Sequence, residues 1–260
     1  MSSQAPDLHQ ATIDAILSYA GPATLPFQRA HARGPYGTMF WFNELLESTG
    51  DTDTVRQLLV TASEPARRVE LAEVTIRPEL CDPAPSAQKL LIRDFAGGWT
   101  HLDGLGVAVQ PTAGLHAYAA RKGWTWAADG IRDGLTARAD DLSLITGTPV
   151  TAYALAHDVT GEDEDRDQAI LVGSLARAAD GSVRWSARLP EGCVGAPVFY
   201  SAPQDEDSFK LLCAGVLLPA DDHGFGHHPV VTLDRILGAL ADSGPAERPR
   251  RRRWWRRRSG

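Results

Sequence analysis

Cysteine is scarce in this chain. Cys81, Cys193 and Cys213 are an odd number at no scaffold-like spacing, which points to free thiols rather than a disulfide framework. Long apolar runs are missing as well. No stretch of about eighteen apolar residues occurs, so no helix is expected to span a membrane. The opening Met1-Ser-Ser-Gln-Ala-Pro-Asp7 lacks the basic and then apolar layout of a secretory signal. A cytoplasmic location is therefore expected. The acidic stretch Gly161-Glu-Asp-Glu-Asp-Arg-Asp167 lacks the glycine and the closing glutamate of a calcium loop, and reads as a solvated turn. His223, His227 and His228 sit beside Asp221 and Asp222, but no second ligand cluster accompanies them. A polar surface loop is expected there, with no metal or other cofactor.

What is present is enough apolar content for a core: 43% of 260 residues, suited to one large domain or two small ones. Net charge is −7, unevenly spread. Eight arginines fall in the last thirteen residues. Removing them from the 26 basic residues leaves 18 against 33 acidic ones, a body near −15 with a tail near +8. Phosphate is repelled by such a body, so a polyanion would have to be met through the tail.

Residues 7–20 read as a packing helix, with Asp7 as N-cap and Gly21-Pro22 as the stop. Short β-rich runs follow: Tyr36–Phe42, Gln57–Ala62, Val69–Ile76, Lys89–Asp94 and Leu105–Val109. Residues 110–148 are less regular and read as a connecting segment with one or two strands. The β texture returns at Pro149–Leu155, Gln168–Ala176, Ser182–Ser186, Ala196–Tyr200 and Phe209–Leu218. Short strands with Gly, Pro and Asp between them argue for a sandwich or a barrel, and periodicity does not separate the two. Val231–Ala241 reads as a helix with Ile236, Leu237 and Leu240 on one face, ended by Ser243-Gly244-Pro245.

The stretch Pro190-Glu-Gly192-Cys193-Val194-Gly195-Ala-Pro197-Val198-Phe199 resembles the nucleophile loop of trypsin-like serine peptidases, Gly-x-Ser-Gly-x-Pro-Val. Gly192, Gly195, Pro197 and Val198 match, and Val194 stands in the serine's place. Leu59-Val-Thr61-Ala62-Ser63-Glu64 resembles the family's Thr-Ala-x-His strand, with Glu64 for the histidine; a slip of one would put Ser63 there. Gly37-Thr38-Met39-Phe40 resembles the Gly-Thr-x-Phe that pairs with it. Leu105-Gly106-Val107-Ala108-Val109 resembles the segment that opens with the orienting aspartate, with Gly106 in its place. Asp103 reads as part of a surface turn. Gly147-Thr-Pro-Val150-Thr-Ala-Tyr153 resembles the start of the second half.

The resemblance covers roughly residues 30 to 241. It implies an all-β fold of two antiparallel β-barrels with an N-terminal and a C-terminal helix. Residues 1–29 would form an N-terminal extension, 30–244 the double barrel with halves at about 30–110 and 149–241, and 245–260 a tail. All three catalytic positions, Glu64, Gly106 and Val194, would be replaced, as in a degenerate bacterial member without its triad. A serine needs a histidine to take its proton and an acid to fix the histidine's tautomer, so no serine chemistry is expected. Cys193 is the fallback nucleophile, with His101 or His157 swinging in as base; its plainer role is a small buried filler. The implied function is a binding or scaffold module, and the alternative an active hydrolase using Cys193 or another nucleophile.

The tail carries Arg248, Arg250, Arg251, Arg252, Arg253, Trp254, Trp255, Arg256, Arg257 and Arg258. Clustered arginine favours an anionic membrane surface and paired tryptophans favour the headgroup level. The same residues suit single-stranded nucleic acid, the acidic body itself, or an acidic protein partner. A membrane surface or a protein partner is expected ahead of nucleic acid, because the acidic body opposes a polyanion.

Overall fold

The computed structural model describes residues 8–31, 36–49, 52–84, 88–159, 166–205, 208–221 and 227–242. The expectations for Asp7, the acidic loop up to residue 165, Asp222, His223 and the arginine-tryptophan tail lie outside them.

Helix α1 (Leu8–Ala20) opens the described chain. Thr12, Ile16 and Ala20, four residues apart, share the buried face. The helix tightens into a short 3-10 turn at Gly21–Ala23 and leads into β1 (Thr24–Arg29). The first half continues with β2 (Tyr36–Thr49), β3 (Thr52–Ala62), α2 (Ser63–Arg68) and β4 (Leu71–Thr75). Next come β5 (Cys81–Asp82), β6 (Lys89–Arg93), β7 (Thr100–Leu102) and β8 (Val107–Pro111). Helix α3 (Ala113–Lys122), β9 (Thr125–Trp126), β10 (Ile131–Arg132) and α4 (Ala139–Ser143) link the halves. The first sheet runs β6-β4-β1-β2-β3-β8-β7, with β10 added in parallel to β2.

The second half holds β11 (Val150–Val159), β12 (Arg166–Arg177), β13 (Val183–Ser186), β14 (Pro197–Asp205), β15 (Ser208–Leu217) and β16 (His227–Thr232). These close into a barrel in the order β11-β12-β13-β16-β15-β14. Helix α5 (Leu233–Asp242) follows.

Four expectations are corrected here. β1 lies within residues assigned above to the N-terminal extension, yet it is hydrogen-bonded between β2 and β4. The sheet therefore starts at Thr24. The linking segment contains a ten-residue helix, α3, besides short strands. His227 and His228 are on β16, paired with β13 and β15, and His228 is buried. Val231 and Thr232, read as helix, belong to the same strand, whose β-branched residues suit a pleated surface. The helix begins at Leu233.

The core explains why several strands read as unbroken apolar runs. Phe40, Phe42, Leu58, Val60, Val107 and Val109 face the second half, where Tyr153, Leu155, Phe199, Cys213 and Val216 meet them. The alternate residues Met39, Trp41, Leu59 and Ala108 fill the first half's own interior. With both faces covered, alternation disappears from the sequence. Each large side chain buried this way contributes about 1.5–3 kcal/mol. The closed barrel is filled by Ala152, Ala154, Ala156, Ala196 and Ala214 around one large ring, Trp185. Gly173 makes room for it: a β-carbon there would lie 2.4 Å from the indole.

Candidate functional site

The loop resembling the nucleophile loop is held by both halves. A 3-10 turn at Glu191–Cys193 leads into the turn at Val194 and Gly195. Thr38 of β2 binds the loop twice. Its amide donates to the Val194 carbonyl at 2.9 Å, and its Oγ1 donates to the Gly192 carbonyl at 2.7 Å. The Gly195 amide donates to the Leu217 carbonyl at 2.8 Å. Gly195 has φ +91°, and a β-carbon there would lie 2.2 Å from the Thr38 carbonyl oxygen and 2.3 Å from Thr61 Oγ1. Only glycine fits that approach.

The same turn touches the end of β3, since the missing β-carbon of Gly195 would lie 3.1 Å from the Ala62 amide nitrogen. β3 continues into α2, whose first residues are Ser63 and Glu64. The Ser63 amide donates to the Gly106 carbonyl at 2.8 Å, beside the pairing of Ala62 with Val107. Glu64 and Gly106 thus line one cleft of about 400 Å3, together with Ser63, Arg67, Arg68, Leu218 and Pro219. Val194 is half-buried on the adjoining turn and is not among the residues lining that cleft.

Glu64 is exposed and paired with Arg68 at 2.5 Å, one helical turn on. Gly106 has φ +69°, and a β-carbon there would lie 3.2 Å from Leu218 Cδ1. Leu218 fills the space into which a side chain at 106 would extend. Asp103 is exposed in the turn after β7.

One pair in the site was not anticipated. His101 of β7 has its Nδ1 3.0 Å from Ser63 Oγ. Burial, followed by the positive charge of Arg67, lowers the His101 pKa from its usual value. Which of the two groups donates depends on the tautomer of the imidazole. The two residues are 38 apart, and only the register of the β7–β8 hairpin, with His101 opposite Ala108, brings them together.

The other candidates sit elsewhere. Cys193 is fully buried in the core of the closed barrel. Cys213, on β15, is also a buried free thiol, pushed up to about 12 by burial. His157 is buried where the halves meet, with Nε2 3.1 Å from Thr24 Oγ1 and its amide donating to Thr38 Oγ1 at 3.1 Å. His228 has Nδ1 3.1 Å from the Leu218 carbonyl, and burial lowers its pKa. Asp221 pairs with Arg184. Among the described residues no three His, Cys, Asp or Glu side chains gather as a metal site, and no helix is long and apolar enough to cross a membrane.

No family model and no curated protein matches the sequence. Solved structures do match in shape. Deg5 is 10% identical, over 90% of this chain and 95% of that one, with a TM-score of 0.51. Tobacco etch virus protease is 9% identical, over 90% and 82%, with a TM-score of 0.50. A serine endoprotease from Yersinia pestis is 10% identical, over 92% and 67%, with a TM-score of 0.49. At such identities the likeness is one of fold. Two barrel-like β-halves with a helix at each end make this the trypsin-like double-barrel fold.

Proposed function

We propose that the chain is a catalytically inactive homologue of the trypsin-like peptidases that works as a binding or scaffold module. The observation that carries this reading is the hydrogen bond from the Ser63 amide to the Gly106 carbonyl, which supports the alignment of β3 and β8 with the family's motifs. In that alignment base, acid and nucleophile correspond to Glu64, Gly106 and Val194. Valine has no attacking atom, glycine has no carboxylate to orient a base, and Glu64 is held by Arg68. The test is labelling of the purified chain with a fluorophosphonate and with a cysteine-directed acylating probe, beside turnover of a peptide pool. No labelling and no turnover are expected. Stoichiometric labelling lost on a single substitution would overturn the reading.

One observation favours a second reading, a hydrolase with a nucleophile outside the inherited position. Ser63 hydrogen-bonds to a histidine and lines the cleft. In that case fluorophosphonate labelling would vanish in Ser63→Ala and His101→Ala. Cys193 is the other such nucleophile, and Cys193→Ala would then remove labelling by the cysteine probe.

Targeting is assigned to the tail, Arg248 to Arg258 with Trp254 and Trp255, toward an anionic membrane surface or an acidic protein partner. Deleting residues 248–260 is expected to abolish co-sedimentation with phosphatidylserine vesicles, or capture of an acidic partner from host extract. Retention of both would remove the tail from the function.

A further inference from the structure

The cleft beside α2 has an uneven charge balance. Arg68 is neutralised by Glu64 at 2.5 Å, whereas Arg67 has no ion-pair partner among the described residues. The apolar side chains in the lining are Leu218 and Pro219, beside Gly106. Among the described residues, Arg67 thus stands as a guanidinium without an ion-pair partner at a recess of about 400 Å3 lined also by Ser63, the Glu64–Arg68 pair, Leu218 and Pro219, within the size range of small-ligand sites. The charge reaches the interior, since Arg67 is the second cause of the lowered titration of His101.

We propose that this cleft binds a carboxylate-bearing peptide segment, with an apolar side chain against Leu218 and Pro219 and the carboxylate on Arg67. The proposal rests on the binding-module reading and names the ligand chemistry of that module. A planar guanidinium donates two parallel hydrogen bonds to a carboxylate, which sets the orientation of the ligand as well as its charge. Charge complementarity selects a peptide over a nucleic acid. One cation without an ion-pair partner among the described lining residues suits one carboxylate, whereas a run of phosphates would extend over a body of about −15. The apolar wall selects further, because a carboxylate without a neighbouring apolar group leaves Leu218 and Pro219 in water.

The carboxylate has two sources, an acidic side chain or a free peptide C-terminus. The test titrates the full 15N-labelled chain with acetyl-Leu-Glu-amide and, separately, with acetyl-Ala-Leu carrying a free carboxylate. Acetyl-Leu-Gln-amide is the uncharged control. The amide signals of Ser63 and Gly106 are followed by NMR. At least one charged peptide is expected to give saturable shifts at about 5 mM or below, in the weak range suited to a single anchor. Arg67→Glu and Arg67→Gln should each weaken that binding about tenfold or more, while Arg132→Glu, at an exposed position of β10, should leave it unchanged. The spectra of the variants report folding in the same experiment. Absence of saturable shifts with both charged peptides would overturn the proposal. So would equal binding of the glutamine control, or shifts unchanged in Arg67→Glu. Peptide integrity is read from the same samples. Cleavage would end the inactive-homologue reading and leave the cleft assignment standing, whereas intact peptides without binding would end the cleft assignment alone.

Discussion

Thr38 and Gly192 are joined across the two halves: the threonine hydroxyl of β2 donates to the glycine carbonyl at 2.7 Å. The same oxygen accepts the amide of His157 at 3.1 Å, and Thr38 is fully buried. One hydroxyl therefore satisfies a loop carbonyl and a strand amide that have no access to water. Thr38→Val keeps the shape and removes both bonds. It should cost about 1–3 kcal/mol for each orphaned group, read as a lowered midpoint in urea unfolding. Hydrogen exchange over residues 190–196 should accelerate with it. Thr38→Ser, which keeps the hydroxyl, should retain most of the stability. Equal losses in the two variants would mean that packing, not hydrogen bonding, holds the loop.

Two glycines should respond to alanine in opposite directions. At Gly195 a β-carbon meets the Thr38 carbonyl at 2.2 Å, and φ is +91°. Overpacking costs typically about 1–3 kcal/mol and a strained backbone adds about 1–3 kcal/mol, so Gly195→Ala should lose several kcal/mol or fail to fold. Gly114 lies in α3, exposed, with nothing within 4 Å of an added carbon. Gly114→Ala should gain about 0.5–1 kcal/mol from helix propensity. Thermal unfolding of the two variants beside the parent chain decides both.

The same contrasts explain what was legible in the sequence. The runs around Met39–Phe42 and Leu58–Ala62 were visible as strands because both of their faces are buried. β1 was hidden by Pro26, which follows Gly21-Pro22 and reads as more loop. The proline is tolerated because pairing with β4 begins one residue later, at Phe27. Helix α3 was hidden by the glycines and tryptophans after it, although Leu115 and Tyr118 keep a helical spacing toward the first half's interior. Glu64 and Gly106, singled out from short motifs, each adjoin a strand that the core dictates, and the structure brings the two to one cleft. The Ser63–His101 pair could not, because its geometry depends on the β7–β8 register.

Acid should weaken the fold through its histidines. His101, His116 and His228 all have pKa values lowered in the folded chain, with burial the largest cause in each. The folded state therefore binds fewer protons than the unfolded state below the usual histidine value of 6.5. Their contribution is fully present above that pH and is lost as pH falls through the lowered folded values. Unfolding midpoints at pH 7.5 should exceed those at pH 5.5, and the histidine signals of the native chain should titrate late in NMR. Arg67→Gln removes the second cause at His101 and should move that pKa back toward 6.5 while leaving His116 in place. A His101 titration unchanged by this substitution would remove Arg67 from its surroundings.

Placing the residue types of a working triad at the three positions proposed to correspond to it should not produce a peptidase. The triple variant Glu64→His, Gly106→Asp, Val194→Ser supplies a nucleophile, a base and an acid by name. The acid, however, enters at φ +69°, a backbone region that non-glycine residues rarely adopt, and its β-carbon starts 3.2 Å from Leu218 Cδ1. To orient an imidazole, the carboxylate must lie within hydrogen-bond reach of it. Here Leu218 crowds the new side chain from its first carbon, so the new histidine is expected to lack its orienting partner. A serine without an oriented base is a poor nucleophile, so fluorophosphonate labelling of the triple variant should stay at background. Shortening the obstructing side chain with Leu218→Ser in the same background should be the step that first permits labelling. If the triple variant labels without it, the backbone frame around Gly106 is more accommodating than the packing of Leu218 implies.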